Sequence, residues 1–78
     1  MNKSQEIRQK NCFELLKKYN IHDGIVKEAS DEGVTFITIW RRLTYDLAWH
    51  LYHEKCVLGI EAGYTKQGYR TRIQVGIV

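Results

Sequence analysis

Apolar and polar positions along the chain follow a helical period, then a period of two, then each again. The most apolar helical block is Trp40 to Cys56, WRRLTYDLAWHLYHEKC. Wound as a helix, it puts Leu43, Leu47, Trp40, Leu51, Ala48, Tyr52, Tyr45, Cys56 and Trp49 on one arc. That arc is roughly 240° wide, where a surface helix lying on one sheet needs little more than about 100°. The remaining wedge is polar: Arg42, Asp46, His50, His53 and Glu54. So much apolar surface calls for cover on two sides, by a sheet and by a second helix or a second subunit.

The earlier helical block runs from Asn2 to Asn20. Asn2 is placed to cap it, with Gln5 three residues on. Ile7, Cys12, Leu15, Leu16 and Tyr19 form its apolar stripe with Phe13 at the margin, and Lys10, Glu14, Lys17 and Lys18 face solvent. Lys17 and Lys18 sit in the last turn, where the helix dipole favours cations. Asn20 and then His22-Asp23-Gly24 end the helix.

Between the helices, IVKEA and VTFITI around the loop SDEG read as a β-hairpin. The loop pairs Ala29 with Val34, Lys27 with Phe36 and Ile25 with Thr38, leaving Val26, Ile37 and Ile39 on the other face. Both faces are partly apolar, so this hairpin is expected to be central and covered on each side. The last block, VLGIEAGY and YRTRIQVGIV around TKQG, alternates cleanly. Pairing Tyr64 with Tyr69 gathers Leu58, Ile60, Ala62, Tyr64, Tyr69, Thr71, Ile73, Val75 and Ile77 on one face. The opposite face receives Gly59, Glu61, Gly63, Arg70, Arg72, Gln74 and Gly76, with Glu61 across from Arg72 as a favourable charge pair. The expected architecture is α+β: one domain spanning residues 1–78, helix-hairpin-helix-hairpin (αββαββ), with a four-stranded antiparallel sheet and two helices packed on one face.

Seventy-eight residues with 44 % hydrophobic content suffice for one small core. No apolar run is long enough to span a membrane, and the first residues lack the apolar stretch of a secretory signal. Cys12 and Cys56 are too far apart for a metal or redox motif and fall on apolar helix faces, so a reducing cytoplasm is expected. A net charge of +3 leans only weakly towards anionic partners.

Candidate chemistry concentrates on the outer face of the second hairpin. Arg70 and Arg72 project from it, Lys66 lies at the loop, and the glycines bare the backbone, a surface suited to a phosphate backbone. Tyr64 or Tyr69 at the tip could stack a base. The bland alternative folds Arg70 over Gly63 and Gln74 over Gly59 on a solvated sheet. Arg41 and Arg42, read as opening the long helix, could hold an anion, or Arg42 could pair with Asp46 while Arg41 lies along the apolar arc. Asp46, His50, His53 and Glu54, with His22, have spacings that could direct ligands at a metal, but they match no metal motif, and no metal or cofactor is expected. No P-loop, dinucleotide-binding loop or activated nucleophile is present, so an enzyme is not expected. The segment IQVGIV, if an edge strand, would be exposed. Together with the wide helical arc it suggests a homodimer, with Trp49, Tyr45 and Tyr52 as candidate interface residues. The first function expected is that of a small nucleic-acid-binding protein. The alternative is a protein-interaction module, such as an inhibitor or adaptor that blocks a larger partner, with Trp49, Tyr45 and Tyr52 or the glycine-lined strip as its contact.

Overall fold

The computed structural model describes residues 2–29 and 33–78. Its elements are α1 (Lys3–Lys18), β1 (Ile25–Ala29), β2 (Val34–Ile39), α2 (Tyr45–Tyr52), β3 (Val57–Thr65) and β4 (Gly68–Val75). The fold is α+β, with one four-stranded antiparallel sheet in the order β1-β2-β4-β3.

Helix α1 begins where expected: the Asn2 side chain accepts the Gln5 amide at 2.8 Å. It ends at Tyr19, followed by Asn20 in the left-handed region at φ 56°, while the Ile21 amide returns to the Leu16 carbonyl at 2.8 Å. Gly24 then passes under the helix. A Cβ there would lie 2.5 Å from Leu16 Cδ2 and 3.2 Å from Ile37 Cγ2, so a larger residue would have to push the Leu16 side chain aside.

Both hairpins hold the expected registers. Ile25, Lys27 and Ala29 face Thr38, Phe36 and Val34, and Glu61 and Tyr64 face Arg72 and Tyr69. Gly33 takes φ 63°, as a left-handed loop residue should, and the rest of the expected SDEG turn lies outside the described residues.

The structure corrects several expectations. β4 is an interior strand, bonded to β2 and β3, so its residues 73–75 are no exposed edge and the argument for a homodimer from that edge falls, while Ile77 and Val78 follow the strand and stay exposed. The first hairpin is not covered on each side. β1 is an edge strand, Ile25 is 44 % exposed, and Phe36 is shielded by the Arg72 guanidinium, 4.6 Å from its ring centroid. A β-bulge between Val57 and Gly59 turns Leu58 out of the apolar face and brings Val57 opposite Val75. Leu58 is therefore exposed and packs beside Gly76, while Val57 joins the core.

The largest correction concerns the second helix, expected over Trp40–Cys56 and found over Tyr45–Tyr52. Thr44 caps it, its hydroxyl accepting the Leu47 amide at 3.2 Å. Upstream, the Arg41 carbonyl accepts the Thr71 hydroxyl of β4 at 2.9 Å, which ties Trp40–Leu43 to the sheet as a connector.

One core cluster joins Cys12 and Leu15 of α1, Leu51 of α2, Ile21 and Leu43 of the connectors, and Ile37, Ile39, Ile73 and Val75 of the sheet. At its margin lies a buried polar group absent from the apolar stripe: Arg8, 8 % exposed. Arg8 Nε donates to Thr35 Oγ1 at 3.0 Å, Thr35 donates to Glu28 at 2.6 Å, and Arg8 approaches Glu28 at 3.7 Å. Each member is satisfied, as burial demands.

Candidate functional site

The outer face of β3 and β4 is open. Nothing lies within 4 Å of a Cβ built on Gly59 or Gly63, so Arg70 and Gln74 do not close over those glycines. Two shallow depressions result, of about 310 Å³ beside Gly63 and Arg70 and about 240 Å³ beside Gly59, Phe36 and Gln74. Arg72 is committed between them: it bonds Glu61 and lies over Phe36. Arg70 has no ion-pair partner among the described residues. Lys66 is exposed in the two-residue loop between Thr65 and Gly68.

The remaining residues of the expected basic and aromatic set lie elsewhere. Tyr64 and Tyr69 occupy the opposite face of the hairpin tip by strand alternation, with ring centroids 5.0 Å apart in an edge-to-face pair. Arg42 stands over Tyr69 at 5.3 Å and not beside Asp46. Arg41 neither opens a helix nor lies along an apolar arc: it grips Asp23 through two bonds of 2.6 and 3.1 Å. That guanidinium holds the Asp23 carboxyl below its ordinary range. The structure thus gathers Arg70 and Arg72 on one face, Tyr64, Tyr69 and Arg42 on the other, and Arg41 on neither.

The polar wedge does not converge on a point. The His50 and His53 Nδ1 atoms each lie 2.8 Å from the carbonyl four residues back, Asp46 and Trp49 respectively. Glu54 turns to α1, where it accepts from Lys18 at 2.7 Å and from the Tyr19 hydroxyl. The Lys18 ammonium, followed by the Tyr19 hydroxyl, keeps the Glu54 carboxyl below its ordinary range. No group of three or more metal-ligating side chains assembles among the described residues.

Helix α2 presents the most distinctive surface. Tyr45, Trp49 and Tyr52, at i, i+4 and i+7, share one stripe opposite Leu47 and Leu51, and they are 84, 48 and 63 % exposed. Trp49 is braced by stacking on His53, with centroids 4.1 Å apart, and by an edge contact with His50 at 5.1 Å. A groove of about 550 Å³ adjoins the stripe, lined by Arg42, Tyr45, Ala48, Ile60, Ala62 and Tyr69 among others. Ile60 and Ala62 were hidden from a sequence reading because strand alternation assigns them to the core. At the hairpin tip the sheet outruns the eight-residue helix, and Ala62 and Tyr64 are left exposed.

Comparison of the chain with protein-family models, curated proteins and solved structures yields no match. No helix among the described residues is long and apolar enough to cross a membrane.

Proposed function

We propose that this chain is a protein-interaction module, such as a small inhibitor or adaptor, that captures a larger protein on the aromatic stripe of α2. The observation that carries this is the exposure of Tyr45, Trp49 and Tyr52 in one row. An exposed, contiguous aromatic patch is costly on a free surface, and Tyr and Trp are enriched at the centres of interfaces. On this proposal both helices cover one face of the sheet, since Cys12, Leu15 and Leu51 meet in one cluster, and the aromatic row lies on the solvent side of α2. Charge supports the same direction. Arg8, Arg41, Arg72 and Lys18 are each paired with a carboxylate, so the excess of cations is less available to phosphates than composition suggests.

The test is affinity recovery from the source cells, comparing wild type with the triple variant Tyr45→Ala, Trp49→Ala, Tyr52→Ala. A stoichiometric protein bound by wild type and lost from a triple variant of unchanged melting temperature is expected. Recovery of nucleic acid without protein would contradict the proposal.

A second reading keeps one specific observation in its favour: the open ground over Gly59 and Gly63 beside Arg70 could admit a phosphate backbone, with Lys66 at the tip. Its mark would be binding to mixed-sequence nucleic acid that weakens steeply with salt and is reduced by Arg70→Ala.

A further inference from the structure

Sheet order leaves two free edges, β1 and β3. β1 is only five residues long, and a symmetric pairing that used the whole strand would set its central residue, Lys27, against its own copy. β3 is nine residues long, contains neither lysine nor proline, and carries one charge, Glu61. Natural edge strands of that length and composition are usually blunted or paired. Here the bulge at Leu58 blunts only the beginning, leaving Gly59–Thr65 as a regular run against β4.

Which backbone groups of that run point outwards follows from the turn. Thr65 and Gly68 flank the two-residue loop and form a hydrogen-bonded pair, so alternation makes Gly63 and Glu61 bonded to β4 and turns Ala62, Ile60 and Tyr64 towards the free edge. Ala62 is the midpoint of Gly59–Thr65 and one of these outward residues.

We infer that the β3 edge pairs antiparallel with the β3 edge of a second copy, with the two-fold axis at Ala62, forming one continuous sheet across the dimer. Only this centre uses the whole run. It sets Ala62 against Ala62 of the partner, Ile60 against Tyr64, Gly59 against Thr65, and Glu61 against Gly63. The bare glycine opposite Glu61 is itself across from Arg70 of its own hairpin, which has no ion-pair partner among the described residues. Arg70 can thus reach over Gly63 to the Glu61 carboxylate of the other copy. An axis at Glu61 would place like charges face to face, and an axis at Ile60 or Gly63 would run the pairing into the bulge or the turn. Ile60 and Ala62, which help to line the groove beside α2, lie within the paired run. The inference stands on the β3 edge alone, apart from capture of a larger protein by Tyr45, Trp49 and Tyr52.

The experiment is sedimentation equilibrium of the whole chain, wild type and Ala62→Asp, with a parallel Ala62→Cys variant under mild oxidation. Wild type should sediment at twice the 9.2 kDa chain mass. Ala62→Asp, which sets two carboxylates against each other on the axis, should sediment at the single-chain mass with an unchanged circular dichroism spectrum. Cysteines facing across a hydrogen-bonded pair have Cα atoms about 5.5 Å apart, within the range of a disulfide, so Ala62→Cys should convert to covalent dimer. That cross-link keeps the inference testable should Ala62→Asp fail to fold. A monomeric wild type, or a dimer that survives Ala62→Asp and leaves Ala62→Cys uncross-linked, overturns the inference.

Discussion

The buried arrangement of Arg8, Thr35 and Glu28 should respond unequally to loss of its two charges. Glu28→Leu leaves the Arg8 guanidinium, 8 % exposed, with the Thr35 hydroxyl as its remaining acceptor. Removing one partner of a fully buried pair costs about 3–5 kcal/mol. The Glu28 side chain keeps 20 % of its exposure, so water can reach part of the site and the expected cost falls to about 2–3 kcal/mol. Arg8→Met is the gentler change. The Glu28 carboxylate then still accepts from Thr35 at 2.6 Å and Gln9 at 3.3 Å, and the cost should be about 1 kcal/mol, that of one lost hydrogen bond. The double variant removes both charges and should cost less than Glu28→Leu alone, a coupling of about 2 kcal/mol. A 78-residue domain is expected to have about 4–12 kcal/mol of stability in all, so these differences are large. Urea denaturation of the four proteins measures them. In melting temperature, Glu28→Leu should lie about 10–20 °C below wild type. Equal losses from the two single variants, or a double variant equal to their sum, would refute the reasoning.

Three further outcomes are expected. Thr44→Ala removes the cap of an eight-residue helix and should lower stability by about 1 kcal/mol, read by urea denaturation with the helical circular dichroism signal as probe. Glu54 has its pKa lowered below 4.5 by Lys18, so its contribution is present above that value and lost as pH falls through the lower folded-state value. Wild type should therefore lose stability relative to Glu54→Gln as pH drops below about 4.5 in acid titrations followed by melting temperature. Finally, burial pushes the Cys12 thiol up to about 12, and native protein should label slowly there with a thiol reagent, reacting fully only after denaturation.

Strand pairing was legible because side-chain alternation and one opposite-charge pair constrain a hairpin locally. Glu61 opposite Arg72 and Lys27 opposite Phe36 both hold. Helix length was not legible in the same way. Leu43 and Leu51 are buried and Leu47 packs partly buried on the same side, so an apolar wheel extends smoothly through Trp40–Leu43. What stops the helix is a capping hydroxyl at Thr44 and a carbonyl of Arg41 bonded to a strand thirty positions on, of which only the first has a local signal. Arg8 was readable in principle, since Arg8, Cys12 and Leu15 stand at i, i+4 and i+7, but its partners Thr35 and Glu28 come together only in the fold. The candidate site divides similarly. The aromatic row of α2 is visible in sequence spacing. The separation of Arg70 from Tyr64 and the pairing of Arg72 with Glu61 follow from strand alternation, whereas the grip of Arg41 on Asp23, the place of Arg42 over Tyr69 and the free β3 edge depend on tertiary placement and sheet order.

Hydrogen–deuterium exchange of the protein, alone and with the species it recovers from its cells, tests the central claim most directly. Protection is predicted across Tyr45–His53, the helix that carries Tyr45, Trp49 and Tyr52. Protection confined to the outer face around Gly59, Gly63 and Arg70, with α2 exchanging as in the free protein, would contradict it.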